Sequence, residues 1–388
     1  MTSRREFHDE PSPIISRAVA NDTASVRDEN RAPLRYSVIQ LFNFLINMKI
    51  YIMMLAASFA LSACGNKPVS AYNDPAKEYD VYVAGNEFNG DKHTAKLWKN
   101  DTVQDLSDGT NDAYALSIYV SGNDVYVAGY ERIGSKMVAK LWKNGEAQEL
   151  TDGTNDAFAR SVFVSNDDVY VAGYEENGSY ITVAKLWKNG AAQDLSDGTN
   201  SAYAFSVFVS GNDVYLSGYE GHKPRLWKNG KVQDLFDGVS DAYAHSVFIS
   251  GDDLYVNGDE AYGNFLTMNK LWKNGKVQDL FIGIYAGPRN ANPIFVSDAD
   301  VYVAGNGYQG SKAVAKLWKN GKSQSLTDGT NTAGASSVFV SGNDVFVVGH
   351  EYYGQKAVAK LWKNGEAQNL TDGTNTAEAC SVFVVPRN

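Results

Sequence analysis

The sequence predicts an all-β chain, a seven-bladed β-propeller of four-stranded antiparallel blades, and three observations predict it. The first is a period. Trp98, Trp142, Trp187, Trp227, Trp272, Trp318 and Trp362 all stand in the phrase Leu-Trp-Lys-Asn, at successive spacings of 44, 45, 40, 45, 46 and 44 residues. A period of roughly 40–50 residues marks a repeat architecture. The second is the content of one unit. From Ser161 it reads Ser-Val-Phe-Val-Ser, Val-Tyr-Val-Ala-Gly, Val-Ala-Lys-Leu-Trp-Lys and Ala-Ala-Gln-Asp-Leu, four short β-rich runs separated by Gly, Asn and Asp. Such runs are strands joined by turns, and four-stranded units at this period are propeller blades. The third is apolarity on both faces of the runs, as required of a blade sandwiched between two others.

The elements follow in order. Ser-Gly-Asn-Asp (from Ser121, Ser210 and Ser341) joins the first run to the second. Lys-Asn-Gly follows every tryptophan except Trp98, where Asp101 replaces the glycine, and joins the third run to the fourth. Asn-Gly supplies the positive φ angles of a two-residue hairpin. The tryptophan in the third run is read as packing between blades. The chain enters this pattern at the second type of run, near Tyr79, and leaves after the first, at Ser381–Val385. The C-terminal strand is therefore expected to complete the first blade and close the ring over residues 79–388, removing two open edges. The units resemble β-propeller repeats in general and match no named signature among WD40, kelch or Asp-box repeats.

The region before the repeats is different. Residues 1–47, polar with scattered charges, read as an over-long gene start or a disordered extension. Residues 48–63, from Met48-Lys-Ile, have the positive start, apolar run and small-residue end of a secretory signal. Leu61-Ser62-Ala63-Cys64 resembles the lipobox of bacterial lipoproteins. The resemblance implies cleavage before Cys64, a lipid on its thiol, a tether over residues 64–78 and anchoring in the cell envelope, at the outer membrane or cell surface. The alternative is an uncleaved membrane helix near residues 36–63. With Cys64 lipidated, Cys380 is left without an intramolecular disulfide partner.

The chain carries 35 Lys/Arg against 45 Asp/Glu, a net charge of −10. That balance argues against nucleic acid as a partner, since phosphate neutralisation drives such binding. The Leu-Trp-Lys lysines form either a basic rim or simply solvated turns. No cofactor motif is present, and a monomer is expected.

Comparing the seven units with one another locates the candidate site. The two tight turns barely vary. The second-to-third connections and the fourth-to-first connections vary strongly, and strand alternation puts both on one face, where binding loops are expected. The candidates on that face are Tyr114, Phe158, Arg160, Tyr203, Phe205, Tyr243, His245, Tyr262 and Tyr352, because rigid amphipathic rings suit recognition. For the repeated tyrosines, packing of loop against loop is the reading that weighs more. Asp-Gly-Thr-Asn, at Asp108, Asp152, Asp197, Asp328 and Asp372, has oxygens for Ca²⁺ and also suits a self-capped turn. Phe281–Pro293 breaks the repeat.

No catalytic motif is present, and Cys380 reads as an inert small residue. The first expectation for function is a non-catalytic, membrane-anchored scaffold that binds a protein or glycan. The second is a carbohydrate-active enzyme using loop carboxylates such as Glu131, Glu175 or Glu260, which needs a pair about 5–10 Å apart. The third is a structural envelope component.

Overall fold

The computed structural model describes residues 78–233, 242–262, 266–278 and 293–387, with the backbone alone at 261–262 and 266–268. Cys64, the signal segment and most of Phe281–Pro293 lie outside the described residues.

The described residues form seven four-stranded antiparallel sheets arranged in a ring, with no helix among them. Blade 2 is typical: an innermost strand Ala113–Ser121, then Asp124–Ile133, Lys136–Lys143 and the outer strand Glu146–Glu149. Blades 3, 4, 5 and 7 repeat this order from inner strands Ala157–Ser165, Ala202–Ser210, Ala242–Ser250 and Ala333–Ser341, and blade 6 from Ile294–Ser297. Blade 1 has two origins, as the sequence requires. Its inner strand is Thr376–Pro386, paired antiparallel to Tyr79–Phe88 from Phe88↔Thr376 to Tyr79↔Pro386.

The core lies between blades. Ala84, Leu97 and Leu106 of blade 1 pack with Ile118, Val127 and Trp142 of blade 2. The same arrangement closes the ring, where Phe346, Val348 and Leu361 of blade 7 meet Trp98, Val382 and Val384 of blade 1. Each such tryptophan faces the preceding blade, which explains a bulky residue in every unit. The inner strands are also laced together. Ser117 Oγ accepts from the amide of Val162 (3.2 Å), Ser161 from Val207 (3.3 Å), Ser206 from Val247 (3.4 Å), Ser337 from Val382 (3.4 Å) and Ser381 from Ile118 (3.3 Å). Blade 6 has Pro293 at this position.

The tight turns are built as their residues dictate. Asn144 and Gly145 have φ of 53° and 88°, the two positive values of a type I′ hairpin. The lysine and asparagine of the repeated phrase then clamp the aspartate of the neighbouring turn. In blade 2, Lys143 Nζ lies 2.8 Å from Asp124 and 5.3 Å from the Tyr126 ring centroid. Asn144 Nδ2 donates to Asp124 Oδ1 (2.8 Å) while its Oδ1 accepts from the Val125 amide (2.8 Å). The same lysine–aspartate pair recurs in every blade. These lysines therefore form no free basic rim.

Tyr119, Phe163, Phe208, Phe248, Phe295, Phe339 and Phe383, one from each inner strand, form a closed ring of aromatic contacts. Neighbouring centroids are 4.7, 4.8, 4.8, 5.1, 4.8, 4.8 and, back to Tyr119, 4.9 Å apart.

Candidate functional site: the variable mouth of the channel

The inner strands of blades 1, 2, 3, 4, 5 and 7 are each interrupted at one place. In blade 2 the pairing jumps between Ala115 and Ser117, leaving Leu116 as a bulge. The same shift leaves Arg160, Phe205, His245, Ser336 and Cys380 as the extra residues of blades 3, 4, 5, 7 and 1. A bulge re-aims its side chain and breaks the alternation of the strand. It also explains the glycine of Val-Tyr-Val-Ala-Gly. A Cβ on Gly129 would lie 1.9 Å from the Tyr114 carbonyl oxygen and 3.0 Å from the Trp142 ring. Only glycine accepts that close approach.

The bulge residues are chemically unlike one another, and five of the six lie close together. Leu116, Arg160 and Cys380 line one cavity of about 230 Å³ together with Asn86, His93, Tyr114, Tyr130, Thr376 and Glu378. Further round the ring the Arg160 guanidinium lies 6.0 Å from the Phe205 ring centroid, and Phe205 lies 5.8 Å from His245. His245 Nε2 is 2.6 Å from Asp259 Oδ1, and both are buried. The structure thus brings together Arg160, Phe205, His245 and Tyr114 of the candidates named above.

The repeated aromatic positions form an arc beside them. From Phe88 the rings pass through His93, Tyr114, Tyr130, Phe158, Tyr174, Tyr203 and Tyr219 to Tyr243, with successive centroids 4.6–5.0 Å apart. Tyr114, Phe158, Tyr203 and Tyr243 therefore stack on rings of their own and adjacent blades, each half-buried. Burial raises the Tyr114 and Tyr130 hydroxyls above the ordinary tyrosine range. Beyond the arc the same positions turn polar, with Glu378 opposite Asn86 and Gly334 opposite His350. The mouth is thus aromatic on one side and polar on the other.

Glu378 sets the field on the polar side. The Cys380 thiol is pushed up to about 12 by burial and by this carboxylate, which keeps it protonated and a poor nucleophile at neutral pH. Burial, then Glu378, also raises the Tyr352 hydroxyl, while burial lowers His350 against the pull of Glu378. Tyr352 packs edge-on to His350 at 5.4 Å. The Tyr262 side chain lies outside the described residues.

The three loop carboxylates are each held within their own blade. Glu131 pairs with Lys140 (2.9 Å), Glu175 with Lys185 (3.0 Å) and Glu260 with Lys270 (2.9 Å). In the Asp-Gly-Thr-Asn loops the aspartate caps its own turn. Asp108 Oδ1 accepts from the Thr110 amide (2.9 Å) and hydroxyl (2.7 Å), and Asp372 does the same with Thr374 (2.8 and 2.6 Å). Among the described residues no cluster of His, Cys, Asp and Glu is arranged to hold a metal ion.

Sequence reasoning missed Asn86 and Glu378 as members of the mouth. The signal was available for Glu378, an acid at a repeat position held by Tyr114, Phe158, Tyr203 and Tyr243 in blades 2 to 5 and by Gly334 in blade 7. Asn86 needed the ring closure that brings it beside the C-terminal strand.

No protein-family model matches the chain, and no curated protein matches it in sequence. Among solved structures, a puromycin-hydrolysing peptidase from Mycobacterium tuberculosis superposes with a TM-score of 0.51 at 10% identity, over 75% of this chain and 52% of that one. The chain thus spans about half the length of that peptidase, and the likeness is one of fold alone. TolB from Acinetobacter baumannii superposes with a TM-score of 0.43 at 10% identity, over 62% of this chain and 61% of that one.

Proposed function

We propose that this chain is a non-catalytic, lipid-anchored protein of the bacterial envelope whose propeller binds a protein or glycan at the variable mouth. The observation that carries the reading is the bulge. A scaffold otherwise repeated blade by blade places one side chain per bulge at the mouth, and Leu116, Arg160, Phe205, His245, Ser336 and Cys380 all differ. Variation confined to one mouth of a rigid frame is what recognition of an asymmetric ligand requires.

The chemistry fits such a ligand. Arg160 and Glu378 place a cation and an anion in one cavity with Tyr114 and Tyr130. Planar guanidinium and carboxylate groups give directional hydrogen bonds, and the rings give stacking area at low entropic cost. Burial holds Cys380 protonated, which suits a lining group better than a nucleophile. Anchoring rests on Leu61-Ser62-Ala63-Cys64, and two acyl chains make such attachment stable where one is marginal.

The test is a glycan array and a capture from envelope fractions with the full chain, beside Arg160→Ala and Glu378→Gln. Binding that both variants lose while keeping their circular dichroism and melting point supports the mouth as the recognition surface. Undiminished binding by both variants sinks it. No binding by any of the three chains favours the structural-component reading. Anchoring is tested separately by labelling cells with an alkynyl fatty acid, with label expected on the wild-type chain and absent from Cys64→Ser.

A further inference from the structure

The aromatic ring lines a second cavity, partly open to solvent, at the other end of the inner strands. Tyr119 lies five residues beyond Tyr114 in the same strand, roughly 16 Å along it at about 3.3 Å per residue, toward the tight-turn face. The cavity has a volume of about 240 Å³. Its lining is the seven-membered ring together with the Val or Ile that precedes each member, from Ile118 to Val382. No lining side chain is charged, and the Tyr119 hydroxyl is the one polar side-chain atom among them. That hydroxyl is raised above the ordinary tyrosine range by burial.

Size and chemistry together restrict an occupant. A cavity of about 150 Å³ lined by apolar side chains stays dry and takes up benzene, so roughly a ring or two is the scale here. Drug-sized ligands need about 300–1,000 Å³ and are too large. An ionic ligand would lose part of its hydration with no counter-charge to replace it. One hydroxyl on one side of an otherwise sevenfold ring gives a ligand a preferred direction.

We infer that this cavity is a binding site for one small, neutral, largely apolar ring compound of one or two fused rings, whose single polar group meets the Tyr119 hydroxyl. The site is independent of the variable mouth: it uses none of the residues lining the cavity around Arg160.

The experiment titrates the full chain, labelled at isoleucine methyl groups, with naphthalene, 2-naphthol and 2-naphthalenesulfonate. Ile118 and Ile294 line the cavity, whereas Ile133 and Ile181 sit away from it on the loop face. Both neutral probes are expected to shift Ile118 and Ile294 saturably, leaving Ile133 and Ile181 in place. The sulfonate is expected to bind at least about tenfold more weakly, because its charge is desolvated without a partner. Phe163→Trp, which fills the cavity, is expected to weaken both neutral probes by a similar factor. Tyr119→Phe is expected to weaken 2-naphthol and leave naphthalene unchanged. The inference is overturned if wild-type Ile118 and Ile294 show no saturable shift, a result that does not depend on any variant folding. It is equally overturned if the sulfonate binds as well as 2-naphthol, or if a folded Phe163→Trp chain keeps full affinity.

Discussion

At the scale of the residue, the buried tryptophans carry both a gain and a penalty. Trp187 is fully buried against Ala128, Leu141 and Leu150 of the preceding blade. An aromatic side chain removes about 150–250 Å² from water, and truncation to alanine in a packed core costs about 3–5 kcal/mol. Its indole N–H, however, has no hydrogen-bond partner among the described residues, and the same holds for Trp227 and Trp362. A buried donor left unpaired costs about 1–3 kcal/mol. Trp187→Ala is therefore expected to lower stability by about 3 kcal/mol, toward the bottom of the truncation range. Trp187→Phe, which discards the N–H with part of the ring, is expected to cost well under half of that. Urea denaturation midpoints of the two variants decide it; equal losses would mean that the indole nitrogen carries no penalty.

At the scale of the element, the tight turns make stability depend on pH. In blade 2 the ammonium of Lys143 and the amide of Asn144 hold the Asp124 carboxyl below the usual carboxylate range, and the corresponding partners do so for Asp168, Asp213, Asp253 and Asp300. A folded pKa depressed below the unfolded one contributes stability above the unfolded value and loses it as pH falls through the folded value. With an unfolded aspartate near about 3.9, these turns are at full strength at neutral pH and weaken below about pH 4. The stability gap between the wild-type chain and Asp124→Asn is therefore expected to be larger at pH 7 than at pH 3. A gap of the same size at both values, measured by chemical denaturation, would show that the charge on Asp124 contributes nothing.

At the scale of the whole molecule, the ring is closed by one strand. Thr376–Pro386 pairs with Tyr79–Phe88 and supplies Ala377, Ala379, Val382 and Val384 to the core that blade 7 shares with blade 1. Ser381 also accepts the Ile118 amide of blade 2. Deleting the residues after Thr376 is expected to open the ring, leaving the edge of Tyr79–Phe88 and the face of blade 7 exposed. Unpaired edges recruit other chains. The truncated protein is therefore expected to melt at a lower temperature and to associate in light scattering at concentrations where the full chain does not. A truncated chain that melts and scatters like the full one would place the closure elsewhere.

Much of this molecule was determined by the sequence alone, and the reason is repetition. Seven copies of Leu-Trp-Lys-Asn set the number of blades, and Asn-Gly set the hairpins. The mismatch between where the pattern starts and where it stops required the C-terminal strand to enter the first blade. Each of these is a local preference stated several times over, so single ambiguities averaged out. The identity of the variable face was legible for the same reason, since each unit served as a comparison for the others. The meeting of Arg160, Glu378, Asn86 and Cys380 was decided only in the tertiary structure, because it depends on ring closure and on the bulges that turn Arg160 and Cys380 out of the alternation of their strands. The cavity behind Tyr119 was likewise invisible in the sequence. In one strand Phe163 is an ordinary half-buried aromatic; only seven strands converging on one axis turn such residues into the wall of a chamber.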